Sequence, residues 1–179
     1  MSDSIRPATR DDAAALHWIA ALTFPLACTP ETSGREQADY VAEHLSEAAF
    51  VGHLADPAYI VLIAEDAVHG EAIGYSVLAI AEPTDPDVVA AIRIRPTIEL
   101  SRMYVHPERH GTGLADRLMT ATLEAARVTG AAGVWLGVSV ENDRANAFYA
   151  RHGFAEVGTK RFHLGDRWED DFVRELALG

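Results

Sequence analysis

The stretch VHPERHGTGLADRLM, Val105–Met119, carries the pattern on which the reading of this chain turns. A strand ends, Pro107 turns the chain, and Gly111 and Gly113 open a helix. Glycines let a backbone approach a ligand closely, and the unpaired amides of a first helical turn, at the positive end of the helix dipole, suit a phosphate or pyrophosphate. Two common phosphate loops do not fit. No Gly-Lys-Ser/Thr ending is present, and the sixth position counted from Gly111 is Asp116, where a dinucleotide fingerprint needs a third glycine. Taken alone, these glycines read equally well as a tight turn.

Immediately upstream, Ile92–Val105 reads as a long strand. Ile92, Ile94, Ile98 and Leu100 share one alternating face, but the next residue in phase is Arg102, while Met103 and Val105 are apolar. The phase slips by one residue. A β-bulge between Leu100 and Arg102 produces such a slip; so does a strand buried on both faces, where alternation carries little meaning. Glu99 lies just before the slip.

Downstream, Leu114, Leu118, Ala121, Ala125 and Val128 recur at helical spacing up to Gly130. Val134, Leu136, Val138 and Val140 then alternate with Trp135, Gly137 and Ser139 as a strand. Its end runs into VSVENDRANAFYARHGF, Val138–Phe154, a polar cluster followed by a short helix from about Asp143 to His152. Phe148 and Tyr149 are adjacent and so point in different directions. Tyr149 is either a core aromatic or a proton donor, because a phenol with a pKa of about 10 can protonate a strongly basic leaving group. Asn142 has the position of a helix N-cap. Strands near 154–164 and 168–178 finish the chain.

In the first half, residues 4–9 read as a short strand. Asp11 and Asp12 mark the acidic start of a helix running to about Leu22, and residues 34–54 form a second helical region. Tyr59–Ala64 and Ile73–Ile80 read as an antiparallel pair, and EPTDPD, Glu82–Asp87, as a loop. The strands outnumber those that βαβ units would supply. The expected fold class is therefore α/β with a mixed central sheet and helices on both faces. A length of 179 residues, 49% hydrophobic and 23% charged, suits one domain over residues 1–179, and the single cysteine, Cys28, permits no internal disulfide. A net charge of -12 argues against nucleic acid and favours cationic or neutral partners. The N-terminus MSDSIRPATR lacks the build of a secretory signal, and the longest uncharged run, 13–30, is broken by Pro25 and Pro30; both point to a cytoplasmic chain without a membrane segment. The histidines lack metal-site spacing, and no metal is expected.

The order strand, HPERHGTGLA loop, helix, strand, then NDRANAFYARHGF, resembles the GNAT superfamily of acetyl-CoA-dependent N-acetyltransferases. The specific part covers Glu99–Phe154. The family's loop pattern is Gln or Arg, two residues, Gly, one residue, then Gly or Ala; here it lands on His110, Gly113 and Ala115, with His110 in place of the usual Gln or Arg. The resemblance implies a sheet of about seven strands, splayed between the fourth and fifth, flanked by about four helices. It implies that amides of His110, Gly111, Thr112, Gly113, Leu114 and Ala115 hold the pyrophosphate of coenzyme A, with Arg109 as a substitute for the missing side chain. Backbone groups around Tyr104, from Met103 and Val105, would pair with pantetheine like an added strand. Asn142 matches a pantetheine-contacting position, and Tyr149 the tyrosine that protonates the leaving thiolate. A tail, FHLGDRWEDDF at Phe162–Phe172, is reminiscent of bacterial spermidine and spermine acetyltransferases.

The expected activity is acetyl transfer from acetyl-CoA to the primary amine of a small, cationic, polyamine-like acceptor. Such an amine is protonated at neutral pH and must lose a proton before attacking, so a base or a water chain is needed. Glu99 is the candidate base; a paired or solvated strand acid is the plain alternative. A protein N-terminus or lysine as acceptor, and a non-catalytic CoA-binding sensor, are the competing readings. A homodimer is compatible with the pattern. The charge bears on the acceptor, because residues 1–90 hold 15 acids and 3 bases while residues 91–179 hold 12 of each. An acidic first half over the acceptor side would attract a cation.

Overall fold

The computed structural model describes residues 3–179. One sheet holds seven strands: β1 (Ser4–Pro7), β2 (Tyr59–Glu65), β3 (Ala72–Ala79), β4 (Thr97–Val105), β5 (Gly133–Ser139), β6 (Ala155–Leu164) and β7 (Arg167–Ala177), in the order β1-β2-β3-β4-β5-β7-β6. Every neighbouring pair is antiparallel except β4 and β5, which are parallel. The mixed sheet and the strand count agree with the expectation from sequence.

Helices cover both faces. On one lie α1 (Ala13–Thr23), α2 (Gly34–His44) and α3 (Glu47–Ala55), whose Leu16, Ile19 and Phe50 pack with Tyr75 and Val77 of β3. On the other lies α5 (Leu114–Val128), whose Leu118, Met119 and Leu123 meet β2–β5, with α6 (Asp143–Arg151) beside it. The remaining helix, α4 (Pro86–Ala91), sits over Trp135 and Val173.

Two helix boundaries differ from the sequence reading. The single region 34–54 is two helices, because Ser46 accepts the Ala49 amide and starts α3 afresh after the buried Leu45. The segment Glu82–Asp87 is a loop only in its first half. Asp85 accepts the amides of Asp87 and Val88, and Pro86 takes the first helical position, where no amide is needed, so α4 begins there.

β4 also starts later than expected, at Thr97 rather than Ile92. The amides of Arg93 and Ile94 are bound by Glu175 Oε1 at 2.9 and 2.8 Å, which ties this segment to a side chain instead of a strand ladder. The bulge itself is present. Val77 pairs with Arg102 and Leu78 with Leu100, leaving Ser101 as the extra residue. Its effect is geometric. Glu99 opposite Ala79, and Arg102 and Tyr104 opposite Val77 and Tyr75, all face α1–α3 although their numbers differ in parity.

Candidate active site

β4 and β5 pair over three residues only, Thr97–Glu99 against Gly133–Trp135, and then part. Beyond Glu99, one edge of β4 is open. His106 donates its amide to Ile73 O of β3 at 2.8 Å. Amide direction alternates along a strand, so Met103 and Val105 turn their N–H and C=O groups to the open side, while the Tyr104 side chain lies against Tyr75.

The opening leads into a cleft of about 370 Å³ that runs through the sheet. Met103, Val105, Ala115, Asn142, Phe148 and Tyr149 line its α5 side, and Glu99, Arg102, Tyr104, Lys160, Glu169 and Asp171 its α1–α2 side. Glu99 and Tyr149, fifty positions apart in the chain's numbering, thus share one cavity. Burial raises the Glu99 pKa, against the opposing pull of Lys160 and Arg102. Burial also pushes the Tyr149 phenol up to about 12, so it keeps its proton throughout the physiological range.

At the mouth, Gly111 and Gly113 take left-handed conformations, φ 78° and 81°. Gly113 is the N-cap of α5 and offers no capping side chain. The amides of Leu114, Ala115 and Asp116 therefore have no acceptor within the helix, and among the described residues those of Gly111 and Gly113 find none either. Five free donors at a helix N-terminus, a space that no Cβ occupies, and an open strand edge leading inward fit a pyrophosphate with an amide-bearing arm.

The side chains of the loop are engaged elsewhere. Arg109 binds Asp66 at 2.8 Å and does not line the cleft, so the substitution expected of it has no support in its placement. His110 donates Nε2–H to Val105 O at 3.1 Å, bracing the loop against the strand end; burial lowers its pKa. Thr112 bonds back to Arg109 O. Asn142 does cap α6, accepting the Ala145 amide at 3.0 Å, while also lining the cleft.

The structure brings in residues that sequence reading missed. Asn146 donates to Ser139 O and Asn142 O, and its Oδ1 accepts from Arg174 Nε at 3.0 Å. Arg174, buried without a carboxylate, also donates to Phe154 O at 3.2 Å. It grips α6 at both ends around Tyr149. Opposite, Lys160, the only lysine in the chain, lies 3.6 Å from Asp171 across Gly137, where a Cβ would fall 2.5 Å from Lys160 Cε. Burial raises Asp171 to about 6. Asp171 lies in the FHLGDRWEDDF tail, where Asp170 and Asp171 read from sequence as an exposed acidic turn or a partner for a polycation, and it is in fact buried; the others had no local signal, since their contacts depend on which strands become neighbours.

A sheet parted at its one parallel pair, with an amide cradle at the mouth and an acid and a phenol within, defines an acyl-CoA-dependent acyltransferase. Residues 14–154 match the acetyltransferase (GNAT) family, and the chain belongs to that family. It is an acetyl-CoA-dependent N-acetyltransferase. Among its relatives is a protein of Mycobacterium tuberculosis called an uncharacterized N-acetyltransferase, 41% identical over 168 residues, covering 93% of this chain and 99% of the relative. Among solved structures, the PaiA N-acetyltransferase of Thermoplasma acidophilum in complex with coenzyme A superposes with a TM-score of 0.78 at 19% identity over 99% of both chains. Mutant forms of the spermidine/spermine N-acetyltransferase SpeG of Vibrio cholerae give 0.66 at 21% identity, over 99% of this chain and 95% of theirs. No helix among the described residues is long and apolar enough to cross a membrane.

Proposed function

We propose that the protein acetylates the primary amine of a small acceptor by direct transfer, with Glu99 as base and Tyr149 as acid. The observation that carries this reading is the presence of both side chains in one cleft at the splay of β4 and β5. Acetyl-CoA, when bound, supplies the activated acetyl group. The free amides of Gly111 and Gly113–Asp116 hold its pyrophosphate, and Met103 and Val105 offer backbone partners to its arm. Glu99 takes the proton from the acceptor's ammonium group, directly or through a water. Burial raises its pKa, which makes it a stronger base than an exposed glutamate. The Tyr149 hydroxyl donates a proton to the departing sulfur. No covalent enzyme intermediate is required, and the Cys28 thiol, which burial raises to about 11, is poorly suited to be one.

A polyamine-like acceptor draws support from the acidic first half of the chain and from Glu99, Glu169 and Asp171 in the cleft. The lining is nonetheless mixed, because Arg102, Arg144 and Lys160 stand among these acids. The test is thiol release from acetyl-CoA across polyamines, amino acids and aminoglycosides. Turnover with at least one amine is expected, and Tyr149→Phe should lower kcat about 100-fold with little change in the KM for acetyl-CoA. A folded protein that binds acetyl-CoA and releases no thiol with any amine would overturn the reading and favour the sensor.

A further inference from the structure

Charge in the cleft becomes simpler once paired groups are set aside. Lys160 is matched by Asp171 at 3.6 Å, and Glu169 faces Arg167 at 3.7 Å while accepting from Thr29. Among the described residues, Glu99, Arg102 and Arg144 form neither an ion pair nor a side-chain hydrogen bond. Arg144 stands in the first turn of α6 on the side of His110 and the cofactor loop, within reach of its charge. Glu99 and Arg102 remain on the acceptor side.

These two are neighbours. The bulge at Ser101 sets them opposite Ala79 and Val77, two ladder positions apart on one face, about 7 Å along the strand. Opposite charges on long side chains at such spacing ordinarily find each other, yet no Glu99–Arg102 contact falls within 4 Å. Tyr75 and His53, near enough for the Arg102 charge to act on both, leave a hydroxyl and Nδ1 buried without partners, and neither supplies a negative charge to match the guanidinium. A separated acid and base facing one cleft is a receptor for a molecule carrying both charges.

We infer that the acceptor is an amino acid or a similar amino-carboxylate, whose ammonium group meets Glu99 and whose carboxylate is held by Arg102. A guanidinium binds a carboxylate through two parallel N–H···O bonds, which orients the amine as well as retaining it. This rests on the transferase reading proposed above and narrows its acceptor. A polyamine carries only positive charge and would leave Arg102 facing another cation.

The experiment compares matched acceptors in the thiol-release assay: amino acids, their carboxamides, the amines lacking the carboxylate, and spermidine. For the wild type, removing the carboxylate should lower kcat/KM about 10- to 100-fold. In Arg102→Met that difference between matched acceptors should vanish, and Arg102→Lys should restore part of it. Both variants are to be checked for acetyl-CoA binding and cooperative unfolding. Equal turnover of acids and amides by the wild type, or turnover of spermidine alone, would overturn this inference and leave the transferase intact. No thiol release with any amine would overturn both.

Discussion

On the proposed mechanism, a single carboxylate decides how this enzyme should respond to pH. Glu99 must be ionised to accept a proton, and burial holds its pKa above that of an exposed glutamate. The acid limb of the kcat/KM profile should therefore lie higher than a solvated acid would place it. Glu99→Gln should abolish that limb and lower kcat about 100-fold or more. No alkaline limb from Tyr149 is expected below about 12. Asp171 acts on stability instead. Its folded pKa of about 6 exceeds the ordinary 3.8, so the native state binds the proton more tightly and stability falls as pH rises from about 4 through 6. The loss is on the order of 3 kcal/mol at most. Urea midpoints of wild type and Asp171→Asn compared at pH 4 and 7 isolate this slope; equal slopes would refute it. Glu99 and Tyr149 could be nominated from the sequence because each lies in or beside a motif formed by consecutive residues; the structure places both in one cleft. Arg102, Lys160 and Asp171 were not read as a group, since only the return of the β6–β7 hairpin beside β5, and the absence of a side chain at Gly137, bring the last two to the first.

Elements add what single residues cannot. The phase slip after Leu100 made the bulge legible, but not its consequence, because the register of β3 is needed to see that Glu99 and Arg102 come onto one face. The break between α2 and α3 and the start of α4 stayed hidden: Ser46 and Asp85 act as caps only through local hydrogen bonds that composition does not display. A Cβ at Gly113 would meet nothing within 4 Å, so Gly113→Ala costs only the left-handed conformation, about 1–2 kcal/mol. Relief of that strain would turn the free amides, raising the KM for acetyl-CoA several-fold with kcat at saturation largely kept. Arg174→Met leaves Asn146 Oδ1 and Phe154 O without their donor and loosens α6 at both ends. Here kcat should fall about 10-fold, more than either KM rises, with a loss of about 2 kcal/mol in stability. Equal effects on KM alone would argue that α6 positions ligand rather than Tyr149.

At the scale of the whole molecule, the charge of -12 separates the two halves of the chain without making the cleft itself acidic. The surface field therefore bears on approach, and the contacts in the cleft on selection. The sheet divides along a similar line. Strands β1–β4 and β5–β7 are joined by three residue pairs, and apolar side chains on the two faces, Leu164 on one and Met119 and Leu123 on the other, bridge them. Backbone amides at Met103 and Val105 should exchange with solvent deuterium faster than those of Arg102 and Tyr104, and should become protected when acetyl-CoA is added; unchanged exchange at both would count against strand-like pairing there. Unpaired edges elsewhere in proteins are hazards, inviting a neighbouring chain to complete the sheet. This one is recessed inside the molecule, where a slender ligand can reach it and another polypeptide strand cannot easily follow. On the proposed binding mode, acetyl-CoA would serve this enzyme twice, as reagent and as the rung that knits β4 to β5, so the loaded protein should unfold at a higher temperature than the empty one.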